Sequence, residues 1–157
     1  MEEIWCGPHE YDFTYADQLI DFARNNGLHL RGHTLVWSYM PPDWLAESSL
    51  AGEDLLSLID DYIEAVITHV EERYPGGVLY WNVVNEPLDD DGTLRSDFFG
   101  SRTGGGYIYI SLVPSLKRAN SRRKPVCSSM NTESNRVGKS WKGYCRCSMS
   151  CWPPAFL

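Results

Sequence analysis

The sequence predicts an α/β protein built from parallel β-strands that alternate with helices. Over the first hundred residues, segments with helical and strand patterns follow one another in the order helix, strand, helix, strand, with short loops between them. This alternation is typical of parallel βα units and not of a β-sandwich. Both predicted strands end in polar or aromatic residues, and functional groups of parallel sheets gather at the C-terminal ends of the strands. The pattern therefore predicts a functional site at one edge of a parallel sheet.

The first helix is predicted within the segment FTYADQLIDFARNNG, residues 13–27. Its apolar residues recur with the helical period. Thr14 is the predicted N-cap, with Asp17 three residues later, and Gly27 is the predicted C-terminal cap. The apolar positions of this helix are Tyr15, Leu19, Ile20, Phe22 and Ala23.

Three further elements follow along the chain. Residues 28–37, LHLRGHTLVW, predict a buried strand, and the prolines at 41–42 prevent its continuation. Residues 53–73 predict an amphipathic helix, which ends at the Pro-Gly-Gly of 75–77. Residues 78–84, VLYWNVV, predict the second strand. The apolar stripe of the long helix comprises Leu55, Leu56, Ile59, Ile63, Val66, Ile67 and Val70.

Asn85 and Glu86 follow directly on the second strand. Burying an unpaired carboxylate is costly, so packing does not account for a glutamate at this place. A rigid strand that delivers a carboxylate to the rim of a sheet is a common way to build a reactive site. The end of the first strand carries His33, Thr34 and Trp37. These two strand ends are the candidate functional site.

Several of these segments resemble glycoside hydrolase family 10, the endo-β-1,4-xylanases. The resemblance rests on RGHTLVW at 31–37, PPDWL at 41–45 and YWNVVNEPLDDDGTLR at 80–95, and YDFTYADQLIDFARNNG at 11–27 is similar to the family's second helix. It implies a partial (β/α)8 TIM barrel, truncated at both ends, with the two predicted strands as the third and fourth of the barrel. The chain would then lack the first strand and everything after the fifth.

The resemblance also implies roles for individual residues. Glu86 matches the general acid/base, and Asn85 matches a residue that hydrogen-bonds the sugar 2-hydroxyl beside the scissile bond. His33 and Trp37 match sugar-binding residues on the third strand. From the residues alone, Glu86 could instead be a surface or capping carboxylate, Asn85 a turn residue before proline, and His33 a core residue. Trp81 and Trp44 are expected to pack in the interior.

The sequence departs from the family in three ways. Ser38 stands where the family usually has His, and Asn82 stands where it usually has Asp. A retaining glycosidase also needs a second carboxylate about 5 Å from the first, as nucleophile. The family's seventh-strand motif that supplies it, similar to Ile-Thr-Glu-Leu-Asp, does not occur, and Glu133 is the only acidic residue after residue 100. The isolated chain is therefore expected to be inactive.

Composition divides the chain at about residue 100. Residues 1–100 contain 20 acidic and 4 basic residues, a balance of −16, whereas residues 101–157 contain 1 acidic and 10 basic residues, a balance of +9. The second part also holds ten of the fifteen serines and four of the five cysteines. We expect residues 1–100 to be a fragment of the catalytic barrel and residues 101–157 to be an atypical tail. Three explanations for the different composition of the tail remain: a shifted reading frame, a second domain, and a tail that binds nucleic acid.

Other partners and cofactors are not expected. The net charge of −7 argues against nucleic acid or an anionic membrane as partner, and no apolar run reaches the roughly 20 residues of a membrane span. The spacing of Cys145, Cys147 and Cys151 fits no zinc pattern, so no metal or cofactor is predicted. The first residues lack the features of a signal peptide. By family resemblance the parent enzyme would be secreted. The oligomeric state is not predicted.

The sequence therefore predicts a fragment of an enzyme that hydrolyses internal β-1,4 bonds of xylan or xylo-oligosaccharides by a retaining mechanism. Two alternatives remain: a related barrel glycosidase such as a cellulase, and a non-catalytic remnant that binds xylan.

Overall fold

The computed structural model of the chain describes residues 1–105. The predictions for Glu133, for the cysteines at 145–151 and for most of the basic tail lie outside the described residues. The described part contains the elements β1 (Trp5–Gly7), β2 (Glu10–Tyr11), α1 (Thr14–Asn25), β3 (Leu30–Val36), α2 (Asp43–Ala46), α3 (Gly52–Arg73), β4 (Val78–Val84) and α4 (Phe98–Thr103). The order helix, strand, helix, strand predicted from the sequence corresponds to α1, β3, α3 and β4.

Strands β3 and β4 form a parallel pair, as the sequence predicts, and α3 lies in the connection between them. The register sets Gly32 opposite Trp81 and His33 opposite Asn82. A parallel pair carries its C-terminal strand ends at the same edge, which brings the two predicted halves of the site together. Among residues 1–105, none of the helices has the length and apolar character that a membrane span requires.

The core lies between the apolar face of α3 and the β3–β4 pair. The stripe predicted on α3 is buried at six of its seven positions, and Leu56 is half-buried. Tyr62 is also buried and stacks on Trp5 with ring centroids 4.7 Å apart. Burial raises the pKa of the Tyr62 hydroxyl, and the nearby Tyr11 adds to this. The remaining buried hydrophobic residues include Leu35, Val36, Leu45, Trp81, Val83, Val84 and Phe99.

The ends of α1 differ slightly from the sequence prediction. Phe13 occupies the N-cap position, Thr14 is the first helical residue, and the carboxylate of Asp12 accepts a hydrogen bond of 2.8 Å from the Thr14 amide. A hydrogen bond from the Thr14 side chain, together with this one from the backbone, lowers the pKa of Asp12. Asn26 is the C-cap, and Gly27 follows it at φ 65°, the left-handed position that glycine favours. Among its predicted apolar positions, Ile20 and Ala23 are buried, whereas Tyr15, Leu19 and Phe22 are exposed.

Four short elements were not predicted from the sequence. The antiparallel pair β1–β2 and the helices α2 and α4 have between two and six residues each, too few for a periodic pattern to show. Tertiary contacts hold them in place. Trp5 of β1 is fully buried, and the Trp44 indole of α2 donates a hydrogen bond of 2.8 Å to the Trp5 carbonyl oxygen. The predicted interior roles of Trp44 and Trp81 therefore agree with the structure, with Trp44 partly buried.

Candidate active site

The C-terminal ends of β3 and β4 are joined by two hydrogen bonds. The backbone N–H of Asn85 donates to the Val36 carbonyl oxygen at 2.9 Å, which extends the parallel ladder by one residue beyond β4. The Trp37 indole Nε1 then donates to Oε2 of Glu86 at 3.2 Å. The structure thus brings three of the four predicted site residues, Trp37, Asn85 and Glu86, to a single edge of the sheet.

Glu86 has an unusual backbone conformation. Its φ angle is 49°, in the left-handed region that residues with a Cβ atom rarely adopt. The following residue is a buried proline, which further restricts the backbone at Glu86. Such conformations cost about 1–3 kcal/mol and cluster at functional sites. The turn directs the half-buried Glu86 side chain onto Trp37 at the end of the neighbouring strand.

Asn85 is buried, with 8% of its surface exposed. It continues the line of buried residues that runs through the second half of β4. A residue that only formed the turn before Pro87 would be expected at the surface, because turns lie there. Asn85 is instead held at the end of the strand, next to the Glu86 carboxylate, by its hydrogen bond to Val36.

His33 lies within β3, before the strand end, and is exposed. It is therefore not a core residue of the described part of the chain. Its Nδ1 atom is 3.0 Å from Nδ2 of Asn82, which stands opposite it in the register. Oδ1 of Asn82 accepts a hydrogen bond of 2.9 Å from Nη2 of Arg31. Within residues 1–105, no hydrogen bond connects His33 to Trp37, Asn85 or Glu86.

The sequence prediction missed Tyr39, which lies beside Trp37, and Arg95, which contacts Tyr39. Tyr39 is 61% exposed, and its ring meets the Trp37 ring edge-on with centroids 5.8 Å apart. Nη1 of Arg95, in the loop after β4, donates a hydrogen bond of 2.7 Å to the Tyr39 hydroxyl. Ion pairs with Asp89 and Asp97 hold the Arg95 side chain. The sequence signal for Tyr39 is an aromatic residue two positions after a predicted site tryptophan.

This arrangement suits proton transfer at a sugar. A carboxyl group held by an N–H donor at a strand end can serve as a general acid or base, and indole and phenol rings offer flat apolar faces for a pyranose ring. In the described part of the chain, no cluster of three or more His, Cys, Asp or Glu side chains is arranged to bind a metal ion. The prediction that no metal or cofactor is needed stays a prediction.

Parallel βα units with an amide and a carboxylate at the C-terminal edge of the sheet are typical of α/β enzymes, in which active sites lie at that edge. Comparison with known proteins gives the family. The profile of glycosyl hydrolase family 10 matches residues 1–126, and the chain belongs to this family.

The following relatives, similar in sequence or in structure, are xylanases. Endo-1,4-beta-xylanase C of Phanerodontia chrysosporium is 39% identical over 102 residues, which are 65% of this chain and 25% of the relative. Xylanase 10B of Thermotoga maritima has a TM-score of 0.62 and 31% identity, covering 76% of this chain and 35% of that protein. Xylanase 10B of Thermotoga petrophila, solved with xylobiose, has a TM-score of 0.64 and 30% identity, covering 78% and 35%.

These findings confirm the family and the fold class predicted from the sequence. The structural neighbours are (β/α)8 barrels, and the described residues form a part of such a barrel without closing it. The chain spans between a quarter and about a third of the length of the relatives named above. The roles of Glu86, Asn85, His33 and Trp37, and the boundary at residue 100, are not tested by these comparisons and stay predictions.

Proposed function

We propose that this chain is part of an endo-1,4-β-xylanase that cleaves internal β-1,4 bonds of xylan by a retaining double displacement. The hydrogen bond between Trp37 and Glu86 carries the proposal, because it fixes a single carboxyl group at the C-terminal edge of a parallel barrel sheet. The family and the xylanase relatives support xylan over cellulose as substrate. Neighbours solved with xylobiose and xylotetraose support an oligosaccharide ligand.

In this proposal Glu86 is the general acid/base. Its Oε2 atom accepts the hydrogen bond of Trp37, whereas Oε1 accepts none from residues 1–105, and we therefore assign the transferred proton to Oε1. In the first step Glu86 protonates the leaving glycosidic oxygen while a nucleophilic carboxylate attacks the anomeric carbon. In the second step Glu86 takes a proton from water, which displaces that carboxylate.

The sugar is held by the other three residues. Asn85, next to Glu86, hydrogen-bonds a hydroxyl group beside the scissile bond, a contact that can strengthen in the transition state. Trp37 offers its ring face, while its N–H group is engaged by Glu86. His33 binds a sugar hydroxyl from its exposed position within β3.

The first experiment tests Glu86. Residues 1–105 replace the corresponding segment of the Thermotoga maritima xylanase, and Glu86→Gln is compared with Glu72→Gln, an exposed glutamate near the end of α3. We expect Glu86→Gln to lower kcat/KM on xylan by about 10²- to 10⁴-fold, the usual contribution of a general acid/base, and Glu72→Gln to leave it unchanged. Activity of Glu86→Gln within a few-fold of the parent chimaera would refute the assignment.

A second experiment tests the isolated chain. A retaining glycosidase needs two carboxyl groups about 5 Å apart, and we assign only one in this sequence. We therefore propose that the 157-residue chain does not hydrolyse xylan by itself. A separate proposal, based on the family resemblance, is that the complete enzyme is secreted. Turnover of xylan by the purified chain, abolished by Glu86→Gln, would contradict the first of these statements. Binding of xylotriose without activity in the chimaera would instead favour a non-catalytic role in xylan binding.

A further inference from the structure

The side chain of Asn82 bridges two residues of β3. Asn82 is buried, with 1% of its surface exposed, and lies opposite His33 in the parallel register. Its carbonyl oxygen is 2.9 Å from Nη2 of Arg31, and its amide nitrogen is 3.0 Å from Nδ1 of His33. Strand pairing thus holds the amide between a guanidinium group and an imidazole ring.

These contacts determine where the proton of His33 lies. A guanidinium group has only donors, so the Asn82 oxygen must face Arg31 and the Asn82 NH₂ group must face His33. The NH₂ group has only donors as well. The Nδ1 atom of His33 must therefore accept this hydrogen bond, and the ring proton of the neutral imidazole must be on Nε2.

We propose that Asn82 is a positioning residue that holds His33 as the Nε2–H tautomer, so that His33 recognises its ligand as a fixed hydrogen-bond donor. Arg31 completes the arrangement, because it prevents the Asn82 amide from turning its oxygen toward His33. An aspartate at position 82 would have the opposite effect. Its carboxylate accepts only, so it would accept a hydrogen bond from Nδ1–H, and Nε2 of the neutral ring would then be an acceptor.

The ligand follows from the proposed function, on which this part of the inference depends. His33 is exposed, and among residues 1–105 its Nε2 atom has no hydrogen-bond partner. A donor at this place would bind an oxygen of a xylose unit. The tautomer itself depends only on Arg31, His33 and Asn82, and can be tested without any sugar.

The first test is nitrogen NMR of the full 157-residue chain with ¹⁵N-labelled histidine. The chain has four histidines, and His33→Gln identifies the signals of His33. In the pH range of the neutral ring, we expect Nδ1 of His33 at the shift of an unprotonated nitrogen and Nε2 at the shift of a protonated nitrogen. Reversed shifts, or the averaged shifts of a freely exchanging ring, would overturn the proposal.

The second test compares variants at position 82. Asn82→Asp is expected to reverse the two shifts, and Asn82→Ala to give averaged ones. Half-buried His69, which stacks on Phe13 and lies 2.7 Å from Oδ1 of Asp17, is the internal control, since its signals should remain the same in both variants and report a fold that is intact. If Asn82→Asp disrupts the fold, Arg31→Met tests the same arrangement: the freed amide should allow a mixture of tautomers. Unchanged Nε2–H shifts in folded Asn82→Asp would contradict the proposal.

The third test separates this inference from the proposed function. Xylotriose is added to the labelled chain, and the Nε2–H signal of His33 is expected to shift and to exchange more slowly with water. If the tautomer is as expected but xylotriose changes nothing at His33, the sugar-binding role of His33 is wrong and the role of Asn82 stands. If xylotriose shifts a ring protonated on Nδ1, sugar binding stands and the role of Asn82 is wrong.

Discussion

The Trp37 indole and the Glu86 carboxylate lie 3.2 Å apart, nitrogen to oxygen, across the ends of two parallel strands. Each residue lies just beyond its strand, Trp37 directly after β3 and Glu86 two residues after β4. The parallel direction of the strands is what makes the contact possible, because it sets both C-terminal ends at the same edge. The left-handed conformation of Glu86 then brings its side chain onto the indole.

The first prediction concerns this contact. Trp37→Phe keeps an aromatic face but removes the N–H donor, so the carboxyl group of Glu86 loses the partner that orients it. A hydrogen bond to a charged group contributes about 1.5–3 kcal/mol. We therefore expect kcat/KM of the xylanase chimaera to fall about tenfold or more. Steady-state kinetics on xylo-oligosaccharides measure this, and an unchanged kcat/KM would show that the contact does not matter for catalysis.

Trp44→Phe is the matched control. The Trp44 indole also donates a hydrogen bond, but to the backbone carbonyl of fully buried Trp5. Its loss should lower the free energy of unfolding by about 1–3 kcal/mol, since a buried acceptor is left without its partner. The kinetics per folded molecule should stay the same. The opposite outcomes of the two Trp→Phe substitutions distinguish a site tryptophan from a structural one.

The second prediction concerns the close approach of β3 to the Trp81 ring. A Cβ atom added at Gly32 would lie 2.1 Å from Cε3 of Trp81, which is far inside van der Waals contact. Trp81 is in the core and cannot move aside easily. Gly32→Ala is therefore expected to lower the free energy of unfolding by about 1–3 kcal/mol or more, measured by denaturant titration.

A double variant tests the cause of that loss. Trp81→Leu removes the ring atoms that the new methyl group would meet. In a Trp81→Leu background, Gly32→Ala should cost much less than it costs in the wild type. Equal costs in the two backgrounds would mean that Gly32 is needed for its backbone and not for the space beside Trp81.

Long elements with a regular pattern could be predicted from the sequence. The helix over 53–73 and the strand over 78–84 agree with α3 and β4 to within a residue, because each buries one continuous apolar face or run. The meeting of Trp37 with Glu86 also follows from the predicted topology, since parallel strands end at one edge. These predictions depend on local pattern and on general rules of chain connection.

Contacts that depend on register could not be predicted. The pairing of His33 with Asn82 is set by which residues stand opposite each other, and the sequence of each strand alone does not determine that register. The sequence shows Asn82 only as a departure from the family, because its hydrogen bonds to Arg31 and His33 follow from the register. The exposure of Tyr15, Leu19 and Phe22 could not be predicted either. A helical pattern of apolar residues shows which face of the helix is apolar, but not which other element packs against that face.

The third prediction concerns Arg102, which ties α4 to the segment around α2. Its guanidinium group donates to the carbonyl oxygens of Leu45, Ala46, Ser48 and Leu50, at distances from 2.8 to 3.5 Å. Arg102→Met keeps the apolar stem but leaves these oxygens without their donor. We expect the free energy of unfolding to fall by about 1–3 kcal/mol. Arg102→Lys should restore only part of it, since an ammonium group cannot reach several carbonyls as a fork.

Arg24→Met is the control for that substitution. Arg24 is exposed, donates to a single carbonyl oxygen at 3.3 Å, and forms an ion pair at 3.8 Å with Asp21. Surface contacts of this kind contribute about 0–1 kcal/mol. A loss at Arg24 as large as the loss at Arg102 would show that removing any arginine destabilises the chain, and that the carbonyl cluster is not the cause.

The fourth prediction concerns the pH dependence of stability at Asp60 of α3. Burial raises the pKa of this carboxyl group, and the neighbouring Asp61 and Glu64 raise it further. Its Oδ1 atom is buried and has no hydrogen-bond partner among the described residues. Between its ordinary pKa of 3.8 and the raised value, the folded chain therefore binds more protons than the unfolded chain. The contribution of Asp60 to stability must fall as the pH rises through this window.

Asp60→Asn removes the titrating group and should therefore make the chain more stable than the wild type at pH 7. This difference in stability should disappear near pH 3, because the wild-type carboxyl group is protonated there in both the folded and the unfolded state. Denaturant titrations at the two pH values measure this. Asp12→Asn is the control of opposite sign, because hydrogen bonds from Thr14 lower the pKa of Asp12 and its contribution is lost as the pH falls. If Asp60→Asn destabilises the chain equally at both pH values, the carboxyl group of Asp60 makes a favourable contact that outweighs its burial.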